Sequence, residues 1–172
     1  MIKILSGKYK GRKLNHIKSN FIRPTQAIVR KSIMDSIMIF DNKRILDLCC
    51  GVGTLGIESL SRGCEYVKFV DKNRKAISIL VENLRLLNVQ DDCDIIKSDI
   101  VKFLKYEEEK YDIIFADPPY DEIMINDIFP YIQKILNNDG IFIYESKKYN
   151  FKLEEDFKIK LFGNTQITSW EK

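Results

Sequence analysis

From residue 44 onward the apolar residues alternate between short unbroken runs and longer stretches with helical spacing. Arg44-Ile45-Leu46-Asp47-Leu48 predicts a first strand, followed by a helix over 54–62. Residues 65–70 predict a second strand, and 73–88 a long amphipathic helix with apolar positions Ala76, Ile77, Leu80, Leu84 and Leu87. A third strand over 94–97 and a short helix over 100–105 come next. Residues 111–116 are almost continuously apolar, as suits a strand covered on both faces. A helix over 122–137 and a fifth strand over 140–145 complete the series. Strands and helices alternating through short connections build a mostly parallel sheet wrapped by helices.

Both ends depart from this rhythm. Residues 157–162 and 166–170 are strand-like runs separated by Gly163-Asn164, a spacing that demands a hairpin. The sheet therefore gains antiparallel members and reaches seven strands in this reading. At the other end, Ile2 to Leu14 predicts two short strands around Gly7, with a second bend at Gly11. Pro24 and Thr25 then predict a helix start, Thr25 as its N-cap, with Ile28, Val29, Ile33, Ile37 and Ile39 at near-helical spacing over 26–39. The chain divides accordingly into an appendage, residues 1–40, and an α/β domain, residues 41–172.

Charge sharpens that division. The net charge is only +3, yet residues 1–34 hold nine basic side chains and no acidic one, leaving the rest of the chain net negative. A basic segment interleaved with Ile4, Leu5, Tyr9 and Leu14 is a footprint for a polyanion rather than a disordered tail. Cys49, Cys50, Cys64 and Cys93 form no C-x-x-C pair, so buried thiols are expected rather than a metal site. The sequence has neither an apolar run long enough for a membrane span nor a signal-peptide core, and a cytoplasmic protein is expected.

Candidate chemistry begins where the first strand meets the first helix. Gly51 and Gly53 in Asp47-Leu48-Cys49-Cys50-Gly51-Val52-Gly53-Thr54-Leu55-Gly56 let the backbone turn tightly and come close to a ligand. Such a loop also serves nicotinamide and flavin proteins, so it names no ligand by itself. Asp71 closes the second strand and can accept from both hydroxyls of a ribose. Asp99, closing the third, can accept from an adenine amine, cap the helix that follows, or do both.

Asp117-Pro118-Pro119-Tyr120 follows the fourth strand, at the sheet edge where open α/β folds bind ligands. The two prolines stop the strand and stiffen the loop. An exocyclic amine on a base is a poor nucleophile because its lone pair is delocalised into the ring. Acceptors at Asp117 and the Pro118 carbonyl would hold its two hydrogens and orient that lone pair toward a methyl donor. The ring of Tyr120 offers a stacking face for a base removed from its helix.

Taken together, the glycine loop, the acids ending strands two and three, and Asp117-Pro118-Pro119-Tyr120 resemble the Rossmann-like class I S-adenosylmethionine-dependent methyltransferases that act on amino nitrogens. More narrowly, Gly7-x-x-x-Gly11-Arg12-Lys13-Leu14, then Arg23-Pro24-Thr25 and Val29-Arg30, resemble the N-terminal signature of the RsmD family. Cys49-Cys50 and Lys31 depart from that family's usual residues. The resemblance implies methylation of a guanine N2 amine in small-subunit ribosomal RNA. The expected partner is ribosomal RNA or a small-subunit assembly intermediate, and a monomer is expected. It further implies S-adenosylmethionine contacts by Asp47, Gly51, Gly53, Asp71 and Asp99, and base handling by Asp117, Pro118, Pro119 and Tyr120. RNA would be held by Lys8, Arg12, Lys13, Arg23 and Arg30. A DNA or RNA adenine-N6 methyltransferase is the alternative, since the same loop suits any exocyclic amine. A nicotinamide-dependent oxidoreductase would leave both Asp117-Pro118-Pro119-Tyr120 and the basic segment unexplained.

Overall fold

The alternation resolves into one seven-stranded sheet with helices on both faces, beside a two-stranded ribbon. The computed structural model describes residues 2–16, 27–120, 122–150 and 156–172. The ribbon pairs β1 (Ile2–Lys3) with β2 (Lys13–Leu14), antiparallel, turning at Gly7 and Gly11 with positive φ. Helix α1 spans Ala27–Asp35 and ends earlier than the apolar spacing predicts. The Ser36 hydroxyl donates to the Ile33 carbonyl at 2.6 Å, capturing an acceptor of the last turn. Arg23, Pro24 and Thr25 lie outside the described residues.

The domain then runs β3 (Arg44–Leu48), α2 (Thr54–Ser61), β4 (Tyr66–Asp71), α3 (Arg74–Leu87) and β5 (Cys93–Lys97). It continues through α4 (Ile100–Leu104), β6 (Tyr111–Ala116), α5 (Ile125–Ile135), β7 (Leu136–Lys147), β8 (Lys158–Phe162) and β9 (Thr165–Glu171). Asn73 caps α3 by accepting from the amides of Lys75 and Ala76, and Asn88 ends it in the left-handed conformation. Its stripe of Ala76, Leu80, Leu84 and Leu87 is buried against the sheet. Truncating Leu80 to Ala there should cost about 2–5 kcal/mol. Helix α5 is shorter than predicted because Met124 is already extended and β7 begins directly at Leu136.

The sheet order is β5-β4-β3-β6-β7-β9-β8, with β3 to β7 parallel. From β3 the chain moves outward to β5, then returns to start β6 on the other side, so connections diverge at the β3–β6 boundary. The C-terminal hairpin forms as predicted, and its second strand enters the sheet between β7 and β8. Burial explains that order. Gln166, Ile167, Thr168 and Trp170 of β9 are covered, whereas exposed Lys158 and Lys160 make β8 a charged edge that discourages further pairing.

The basic segment is not a separate body in packing terms. Ile2, Ile4, Leu14, Val29, Ile33 and Phe40 share one apolar cluster with Leu55, Leu80 and Leu84. Buried Glu58 of α2 accepts from the backbone amides of Leu5 (2.8 Å) and Ser6 (2.9 Å). Gly7 crosses so close to α2 that a Cβ would stand 1.7 Å from the Ser61 carbonyl oxygen. The contrast between residues 1–40 and the rest is one of charge. Among the described residues no helix is long and apolar enough to cross a membrane.

Candidate active site

Adjacent strands β5, β4, β3 and β6 end, in that order, at Asp99, Asp71, the glycine loop and Asp117. The chain thus gathers the predicted ligand residues along the carboxyl edge, astride the point where its connections diverge. The Asp117 amide donates to the Leu48 carbonyl at 3.3 Å, which ties the start of the amine-handling loop to the last residue of β3.

The glycine loop is held by its neighbours. Its Cys50 amide donates to the Val70 carbonyl (3.2 Å), and the Gly51 amide to Asp71 Oδ2 (2.8 Å). Gly51 has φ +56°, and a Cβ built there meets nothing within 4 Å, so its outer side is open for a ligand to approach the backbone. Packing also demands glycine at positions 53 and 56: Cβ atoms added to Gly53 and Gly56 would lie 2.4 Å from Leu80 Cδ1 and 2.2 Å from Phe69 Cε1. Helix α2 therefore lies tight on the sheet, with its positive end at Thr54 facing the same edge.

The acids differ in what they can do. Asp71 accepts from Gly51 through Oδ2 and from Asn73 through Oδ1 at 2.7 Å, which fixes the carboxylate plane. A carboxylate accepts about four hydrogen bonds, so each oxygen keeps capacity for a ribose hydroxyl. Asp99 caps α4 by accepting from the Lys102 amide at 3.1 Å and is exposed, so it meets the helix-capping expectation with a face still open. Asp47 is almost completely buried and accepts from the Gly56 amide at 2.9 Å. Desolvation lifts its carboxyl to about 8 against the pull of the Gly56 amide, with the charges of Asp117 and Asp71 pushing the same way as burial. The hydrogen bond of Asp47 is to the helix that carries the loop.

Across the β3–β6 boundary, Pro118, Pro119 and Tyr120 line a pocket with Met124, Tyr144 and Ser146. Tyr120 is 41% exposed, and its hydroxyl lies 3.1 Å from Thr165 Oγ1. Burial pushes the Cys49 and Cys50 thiols far above the ordinary range, so neither is a ready thiolate.

Of the residues expected to hold RNA, Lys8, Arg12 and Lys13 are exposed on the ribbon, although Arg12 also donates to the Leu86 carbonyl at 2.8 Å. Arg30 is a correction. It is 3% exposed and donates to the Lys3 carbonyl at 2.8 Å, with burial pulling its pKa down against the charge of Glu58. A guanidinium committed beneath the ribbon braces it instead of meeting a phosphate. Glu58 and Asn83 were missed by the sequence reading, although each is a polar residue among the apolar positions of its helix, which is a legible signal.

A doubly wound sheet with an antiparallel last pair and a glycine loop at its divergence point defines the Rossmann-like methyltransferase class. The family model described as Conserved hypothetical protein 95 matches residues 2–171. This chain belongs to that family, the RsmD family of S-adenosylmethionine-dependent methyltransferases. It is 36% identical over 150 residues to YlbH of Bacillus subtilis (strain 168), covering 84% of this chain and 82% of that one. It is 30% identical over 163 residues to the ribosomal RNA small subunit methyltransferase D of Buchnera aphidicola subsp. Acyrthosiphon pisum (strain APS), covering 92% and 85%. A conserved hypothetical protein of Streptococcus pyogenes superposes with a TM-score of 0.76 at 28% identity, over 83% of this chain and 94% of that one.

Proposed function

We propose that this enzyme transfers the methyl group of S-adenosylmethionine to the exocyclic N2 amine of a guanine in small-subunit ribosomal RNA. The observation that carries the reading is the Asp117-Pro118-Pro119-Tyr120 loop, one hydrogen bond from the end of the strand that opens into the glycine loop. The similarity to a ribosomal RNA small subunit methyltransferase D supports the choice of RNA.

In this reading Gly51 and Gly53 keep the backbone close to the cofactor, Asp71 accepts from its ribose and Asp99 from its adenine. Asp47 holds the loop from beneath through Gly56. When bound, the cofactor supplies an electrophilic methyl group. Everything else falls to the protein. The Asp117 carboxylate and the Pro118 carbonyl take the two amine hydrogens, Pro119 keeps the loop stiff, and the Tyr120 ring stacks on the base. The amine becomes positive as it attacks, and a carboxylate aimed at that charge stabilises the transition state more than the neutral ground state. The same Asp117 carboxylate can accept the proton that the product sheds.

Lys8, Arg12, Lys13 and Arg23 supply the phosphate contacts, so that residues 1–40 hold RNA while 41–172 do the chemistry. The substrate is ribosomal RNA or a small-subunit assembly intermediate, and the enzyme acts as a cytoplasmic monomer. The test is methyl transfer from labelled cofactor to small-subunit RNA, with the product nucleoside identified by mass. N2-methylguanosine is expected, and Asp117→Ala should lower kcat by on the order of 10²-fold with cofactor binding retained. N6-methyladenosine as the product would overturn the reading.

A further inference from the structure

The carboxyl end of β7 forms a second wall beside the amine-handling loop. Glu145 and Ser146 line one pocket with Pro118, Pro119 and Tyr120. They are only 6% and 5% exposed, two polar residues directly after the apolar run Phe142, Ile143 and Tyr144. Neighbours on a strand project to opposite faces. Both nevertheless line this pocket, which lies past Ala116 and Tyr144, the last residues that β6 and β7 pair, while β7 runs on beside β9. The Ser146 hydroxyl oxygen is buried without a hydrogen-bond partner among the described residues. Folded proteins tolerate few such groups, and one beside a ligand pocket marks a place where an incoming polar group can be bound.

We propose that Glu145 and Ser146 read the base edge next to the amine held by Asp117 and Pro118, and so select guanine among purines that carry a 2-amino group. This rests on the guanine-N2 reading. Beside its amine, guanine presents the N1–H donor and then the O6 acceptor. In 2-aminopurine the same positions present a bare N1 acceptor and a C–H. A carboxylate only accepts, so Glu145 takes N1–H from guanine and repels the bare N1. A hydroxyl can donate, so Ser146 gives its proton to O6. The pocket, about 50 Å³, holds a water or two rather than a purine. Entry of the base therefore requires the 118–120 loop to swing outward, breaking the contact between Tyr120 and Thr165.

The test uses the full chain, methyl-labelled cofactor, and small-subunit RNA carrying either guanosine or 2-aminopurine riboside at the nucleotide the wild-type enzyme methylates. Wild type should favour guanosine by about tenfold to a hundredfold in kcat/KM. Glu145→Gln, whose amide can donate to a bare N1, should shrink that preference about tenfold. Ser146→Ala should slow the guanosine substrate about tenfold and leave 2-aminopurine, which has no O6, unchanged. Calorimetry with S-adenosylhomocysteine checks that each variant keeps its fold, and each is read independently of the other. An unchanged preference in Glu145→Gln, or equal slowing of both substrates by Ser146→Ala, overturns the proposal. Failure of the wild-type enzyme to methylate guanine N2 at all overturns the underlying reading instead.

Discussion

Asn83 of α3, fully buried, donates from Nδ2 to the carbonyl of Val52 in the glycine loop at 3.2 Å. The same side chain grips Asn15 of the ribbon, donating to its carbonyl at 3.1 Å and accepting from its amide at 2.7 Å. One amide thus joins the cofactor loop to the basic segment. Asn83→Leu keeps the volume but strands three backbone groups, and should cost about 2–3 kcal/mol of stability. Because the Val52 carbonyl loses its anchor, affinity for S-adenosylhomocysteine should fall as well. Urea denaturation and calorimetry measure the two effects. If neither moves, the amide is a bystander.

Asp71 couples loop geometry to ligand contact. Asp71→Ala removes the acceptor for the Gly51 amide together with the expected ribose contact. Loss of charge-assisted bonds of this kind should weaken cofactor binding by about 1.5–3 kcal/mol. Asp71→Asn keeps one acceptor oxygen and should fall between. Calorimetric affinities equal to wild type in both variants would remove Asp71 from the site.

A buried carboxyl at Asp47 gives stability a pH dependence with a definite sign. Its folded pKa of about 8 lies above its ordinary 3.8, so the folded protein keeps a proton that the unfolded chain has released. This contribution is complete below the unfolded value and is lost as pH rises toward the folded one. Asp47→Asn removes the group, so the variant should gain on wild type steadily across that window. Denaturation midpoints at a series of pH values test this, and parallel profiles would show Asp47 to be ionised at neutral pH.

The ribbon charges should act on RNA, and Arg30 on the fold. Neutralising Lys8, Arg12 and Lys13 together should reduce the salt dependence of RNA binding by roughly 0.7–0.9 per lost phosphate contact. Arg30→Ala should leave that slope alone but cost roughly 1–3 kcal/mol, since the Lys3 carbonyl loses its donor beneath the ribbon. Filter binding across salt concentrations separates the two. A slope that drops with Arg30→Ala would return that residue to the RNA contacts.

How much of this was legible in the sequence depended on the range of each interaction. The β/α series from Arg44 to Lys147 could be read because apolar periodicity and turn chemistry are local, with Asn73 and Asn88 marking the ends of α3. The glycine loop, Asp71, Asp99 and Asp117 were also legible, since each sits at the junction of a strand with its following loop and a parallel sheet brings all such junctions to one edge. Helix ends were less so: α1 stops at Asp35 through the Ser36–Ile33 bond, although Ile37 and Ile39 continue the spacing.

What only the tertiary structure decided joins residues far apart in the chain. Arg30 reads as a surface charge until the ribbon folds over it, and Asp47 as a ligand contact until its Gly56 bond and burial appear. The docking of Leu5 and Ser6 on Glu58, the grip of Asn83 on Asn15 and Val52, and the closeness of Ser146 to Pro118 have no local pattern. Side-chain periodicity records only which face of its own element a residue occupies. Which other face will cover it, and whether a buried polar atom finds its partner there, is settled when the elements pack.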